Sequence, residues 1–115
     1  MKNALLLSLV LVAAASCLEA QEFKPLAGQY AIASKSLVDP PPDEKKDRLL
    51  LWIQGSGAKD IFESMAGPAR KDACNPDLVK RSAGALKCAK HADGDYLCTI
   101  GVLLTTGSTV KGSVC

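Results

Sequence analysis

Residues 85–115 read ALKCAKHADGDYLCTIGVLLTTGSTVKGSVC, and along them the pattern takes on the two-residue period of β-strands. Asp93-Gly94 is the strongest hairpin signal in the chain, because that pair tolerates the positive φ of a type I′ turn. Thr106-Gly107-Ser108 turns the chain again. Three antiparallel strands follow from this punctuation: Ala85–His91, Tyr96–Leu104 and Thr109–Cys115. On the central strand Tyr96, Cys98, Ile100, Val102 and Leu104 point one way, and Leu97, Thr99, Gly101 and Leu103 the other. With Asp93 and Gly94 as the turn pair, residue 88 lies opposite 99, so Cys88 and Cys98 fall on opposite faces. With Gly107 and Ser108 as the second turn pair, Cys115 lies opposite Ile100 and shares the face of Cys98. This register predicts Cys98–Cys115 and Cys74–Cys88 as the disulfides, and a one-residue slip in either hairpin would undo it.

Working towards the N-terminus, helix signals replace strand signals. Asn75-Pro76-Asp77 supplies a cap, a proline for the first helical position and an acid for the first turn, predicting a brief helix that ends near 82–84. Ser56 is the expected cap of a helix over 57–66, with Ile61, Phe62 and Met65 as its apolar stripe and Gly67-Pro68 as its stop. Asp43 is the expected cap of a helix running to Gln54, in which Leu49, Trp52 and Ile53 share a face. Leu49–Ile53 fits a buried strand as well, since five apolar residues in a row carry no period; the polar lead-in 44–48 favours helix. Pro40-Pro41-Pro42 stiffens the chain ahead of this helix. It separates an N-terminal arm, residues 21–42 with a short strand near Gln29–Ala33, from a compact domain, residues 43–115. The expected fold class is therefore α+β: two or three short helices packed on a three-stranded antiparallel C-terminal meander, stabilised by disulfides.

The first twenty residues, MKNALLLSLVLVAAASCLEA, read as a leader. Lys2 gives a positive start, residues 4–15 are apolar or small, and a small-residue zone follows. That run is shorter than the roughly 20 residues a membrane-spanning helix requires, and the pattern is that of a removed secretory signal. Cleavage after Ala20 leaves a free domain in the periplasm or outside the cell. Ala14-Ala15-Ser16-Cys17 also resembles a bacterial lipoprotein box, which implies lipidation of Cys17 and anchorage at a membrane without a spanning helix. Beyond Cys17, the four cysteines Cys74, Cys88, Cys98 and Cys115 form an even set in a short exported chain, as disulfides require. They contain no CxxC spacing, which removes support for a redox motif or a zinc finger. The net charge is +2. Residues 21–69 hold six basic and seven acidic side chains and 70–115 hold seven and four, a bias too mild for a polyanion-binding surface. With so few aromatic residues for base stacking, nucleic acid is not an expected partner.

Candidate chemistry is sparse. Ser56-Gly57-Ala58-Lys59 matches an S-x-x-K pattern, but the S-D-N and K-T-G elements that accompany it in penicillin-binding enzymes are absent. It reads as a helix cap followed by a solvent-facing lysine. Gly55-Ser56-Gly57 would expose backbone N–H groups to an anion, yet no P-loop spacing surrounds it. His91 stands beside Asp93 and Asp95, which are turn residues first and metal ligands second, and Glu63 belongs to a solvated helix face. Trp52 reads as core and Tyr96 as half-buried. Lys87, Thr99 and Lys111, extended by Lys80 and Arg81, make a candidate basic contact surface on the sheet. Tyr96-Leu97-Cys98-Thr99-Ile100-Gly101 resembles the aromatic–cysteine strand opening of small periplasmic inhibitors of c-type lysozyme. The likeness spans these six residues, and the helix-rich first half expected here departs from that family's barrel, so neither membership nor any residue role follows from it. No cofactor or metal is implied and no enzyme is indicated. The function expected is that of a small exported envelope binding protein, such as an inhibitor or immunity factor acting on a cell-wall-active or toxic protein. A structural or accessory lipoprotein of a membrane assembly is the first alternative, and a small hydrolase using Ser56 and Lys59 the second.

Overall fold

A computed structural model of the chain describes residues 21–114. The leader expected over residues 1–20 and both candidate cleavage points, with Cys17, lie outside the described residues, as does Cys115. The described chain is a seven-stranded antiparallel sheet with one short helix, in the order β1 (Ala27–Ser34), β2 (Lys46–Gln54), α1 (Gly55–Ser64), β3 (Arg70–Lys71), β4 (Val79–Ala83), β5 (Leu86–Lys90), β6 (Tyr96–Leu103) and β7 (Thr109–Val110). Across the sheet the strands lie β1-β2-β6-β5-β4-β3, and β7 pairs with β6 just beyond the end of β5. The α+β expectation of several helices on a three-stranded meander is thereby corrected.

The helix expected over 43–54 is the central strand β2. A helix would have placed Leu49, Trp52 and Ile53 inside and left Leu50 and Leu51 towards water. Between two neighbouring strands both sets find cover: Leu50 is buried on one face while Leu49, Leu51 and Ile53 alternate onto the other. The proline-rich segment is the loop joining β1 to β2. Glu44 closes it, donating its N–H to Pro41 O and accepting through its carboxylate from the N–H and hydroxyl of Ser36. These bonds hold the Glu44 carboxyl below its ordinary pKa, the Ser36 backbone N–H contributing most. The segment expected as an arm thus contributes β1, paired with β2 from Ala27↔Gln54 to Ser34↔Lys46. The helix expected after Asn75 is a turn: the Asn75 side chain accepts from Asp77 N–H, and Leu78 N–H donates to Asn75 O. Cap and Asx-turn use the same asparagine oxygen, which is why the sequence signal is shared.

One helix does form. Gly55, at φ 67, makes the sharp exit from β2 that a side chain would resist. Ala58 and Phe62, one turn apart, bury themselves against Cys88 and Cys98, with Ile53, Ile61, Met65, Leu86 and Tyr96 around them. Phe62 meets Tyr96 edge-on at 5.4 Å between ring centroids. This core is small and centred on a disulfide, Cys88–Cys98. The pairing corrects both predicted bridges. His91 N–H donates to Asp95 O and Gly94 N–H to His91 O, so the loop takes in Ala92-Asp93-Gly94 with Gly94 at positive φ, rather than Asp93-Gly94 alone. The added loop residue shifts the register by one and sets Cys88 directly opposite Cys98 on one face. Cys74 is also disulfide-bonded.

Candidate binding surface

The same register determines what the other face of the sheet presents. Opposite α1, alternation brings Trp52 of β2, Thr99 of β6, Lys87 of β5 and Lys80 of β4 to one side, as the pairs Trp52↔Thr99, Lys87↔Thr99 and Lys80↔Ala89 require. Beyond β7 the chain crosses over this face. Its passage needs two residues without side chains: a Cβ on Gly112 would sit 2.6 Å from the Ile100 backbone, and one on Gly101 would sit 2.9 Å from the Val110 side chain. Trp52 Nε1 donates to Gly112 O at 3.0 Å, and the hydroxyls of Thr99 and Ser113 lie 3.0 Å apart. The crossing delivers Lys111 beside Lys80 and Lys87.

Lys80, Ser82, Lys87, Thr99, Lys111 and Ser113 line one depression of about 100 Å³. Four of the five candidates read from the sequence therefore converge, drawn from β4, β5, β6 and the C-terminal crossing. Arg81, the fifth, is turned to the opposite face. Its guanidinium donates to Phe62 O and Met65 O, both at 3.0 Å, and lies over the Phe62 ring. It closes the C-terminus of α1, where unpaired carbonyls favour a cation.

The electrostatics of the depression turn on Asp72, which sequence reading missed. Asp72 is 3 % exposed, and its Oδ2 lies 2.8 Å from Lys87 Nζ and 4.0 Å from Lys80 Nζ. Its Oδ1 accepts from the N–H groups of Cys74 and Asn75 at 2.7 and 3.3 Å. The Lys87 ammonium, with the Cys74 N–H next, holds the carboxyl at about 2 against burial, which pushes the other way. One buried carboxylate thus fixes Lys87 and draws Lys80 from 4.0 Å, while Lys111 is exposed and has no ion-pair partner among the described residues. Among the described residues the depression is lined by three lysines, and Asp72 is the carboxylate paired with two of them. Next to it an apolar hollow of about 170 Å³ is lined by Trp52, Ala89, Leu97 and Val114 among others. Trp52, read as core, is 41 % exposed there.

Ser56, Lys59 and Glu63 on α1 stay apart from this surface, whereas His91 lines the apolar hollow with Trp52. Ser56 and Lys59 are both exposed on α1, Lys59 Nζ lies 4.0 Å from Glu63, and among the described residues no hydrogen bond joins the serine to the lysine. His91 and Asp95 hold the hairpin through backbone bonds, and the Asp93 carboxylate accepts from Asp95 N–H. Among the described residues no three His, Cys, Asp or Glu side chains gather as a metal site, and no helix is long and apolar enough to cross a membrane. Comparison of the chain with protein-family models, with curated proteins and with solved structures returned no match.

Proposed function

We propose that this chain is a small exported envelope binding protein that captures an acidic element of another protein, in the manner of an inhibitor or immunity factor for a cell-wall-active or toxic partner. The observation that carries the reading is the convergence of Lys80, Lys87 and Lys111 with three hydroxyl-bearing residues on one depression. Lysines scattered on a solvated surface lose side-chain entropy when they bind, which weakens each contact. Here Asp72 has already oriented Lys87, so part of that cost is met in the free protein. A carboxylate entering beside Lys111 gains charge-assisted hydrogen bonds, and the Trp52 hollow offers an apolar anchor next to them. Export and the disulfides suit a partner met outside the cytoplasm.

The test is capture from envelope and culture-fluid proteins with the oxidised chain as bait, run beside a Lys80→Glu/Lys111→Glu double variant whose thermal unfolding shows it folded. The reading expects a saturable partner that the variant loses at least about tenfold and that high salt weakens. A partner retained equally by the variant, or none in either fraction, rejects it.

A further inference from the structure

Among the described residues β1 forms one edge of the sheet, and its sequence, AGQYAIAS, carries no charge and no proline. Those are the features that keep natural edge strands from pairing. Leu104 N–H donates to Asp47 O, so Asp47 turns its backbone towards β6. By strand alternation Arg48, Leu50 and Trp52 then face β1, and their partners Ala33, Ala31 and Gln29 face β2. The N–H and C=O groups of Tyr30 and Ile32 are left pointing outward from the edge. The side chains of Tyr30 and Ile32 are 74 % and 46 % exposed on the face that α1 shares.

We infer that this edge is a homodimer interface, in which β1 of one copy pairs antiparallel with β1 of a second about a two-fold axis at Ala31. The strand is complementary to itself in that register. Tyr30 stands opposite Ile32 of the second copy, and Ile32 opposite its Tyr30. Both Tyr–Ile positions are hydrogen-bonded pairs built from the outward-facing groups, and aromatic–β-branched pairs are among the favourable cross-strand combinations. The small Ala31 meets its own copy at the axis, where strands approach most closely. An isologous contact sets every charge near its equivalent, and a strand without charges is suited to that symmetry. The depression around Lys111 lies across the sheet from this edge, while Trp52, beside the apolar hollow, pairs with Gln29 of β1.

Light scattering of the oxidised chain across about 10 µM to about 1 mM tests the pairing. The mass is expected to rise with concentration towards twice that of the monomer, and Ile32→Lys is expected to move the midpoint at least about tenfold higher. Ala31→Cys supplies a readout that does not depend on that variant's folding: it is expected to form a disulfide-linked dimer faster than Thr105→Cys, placed on an exposed loop. A monomer throughout the range, a dimer indifferent to Ile32→Lys, or equal cross-linking of the two cysteine variants overturns the inference.

Discussion

Asp72, buried, and Arg81, half-buried, show how single charges organise the two faces of the sheet. The Asp72 carboxyl titrates at about 2 in the folded chain against an ordinary 3.8. Folding therefore favours its ionised form, a contribution complete above about pH 4 and lost as pH falls through about 2, worth about 2 kcal/mol. Asp72→Asn is expected to lower neutral-pH stability by about that amount and to flatten the acid limb of a stability–pH profile, measured by urea unfolding at each pH. Arg81→Ala removes two hydrogen bonds to the end of α1 and a cation–π contact, and is expected to cost about 2 kcal/mol in the same assay. Partner capture at the opposite face should survive it. The sequence placed Arg81 with the lysines because neighbours along a chain look alike until alternation separates them. It was silent on Asp72, since burial of an acid comes from strands that close over it and leaves no local signature.

At the scale of elements, turn chemistry was legible and element type was not always so. That the chain turns near Asp93-Gly94 and near Thr106-Gly107-Ser108, the strand near Gln29–Ala33 and a helix with Phe62 inward were readable from spacing. Neither hairpin register was: Cys88 pairs with Cys98 instead of Thr99, Val110 pairs with Gly101 instead of Thr105, and the strand expected over Thr109–Cys115 ends at Val110. β2 was not, because LLLWI has no period and its type is set by the strands on either side. Asn75-Pro76 was misread because one asparagine oxygen serves helix caps and Asx-turns alike. Gly112 carried no signal, since its need for bare backbone arises only where the C-terminal crossing meets Ile100. Gly112→Ala would press a methyl group onto that backbone at 2.6 Å. It is expected to destabilise by about 1–3 kcal/mol in thermal unfolding. It should also weaken partner capture, because Lys111 rides on the displaced segment.

For the whole molecule, the fold is a broad sheet with one helix over a small core. A core of this size leaves much of the stability to its crosslink. The Cys88–Cys98 bridge spans a sequence separation of 10, and a loop of that length is worth about 2–3 kcal/mol in the unfolded chain. Cys88→Ala/Cys98→Ala is expected to lose at least that, since both sulfurs are fully buried beneath α1. The bridge also records the register that places Lys87 and Thr99 on the depression and the cysteines under the helix. Were residue 88 opposite 99, the β5 lysine would leave the site and the candidate surface would dissolve. The direct measurement is a disulfide map of the unreduced protein, with trypsin cutting at Lys90 within the 88–98 loop and mass spectrometry identifying the linked peptides. A peptide pair joined through Cys88 and Cys98 is the result this architecture predicts; Cys98 joined to Cys115, or Cys88 joined to Cys74, would contradict the register and the binding surface built on it.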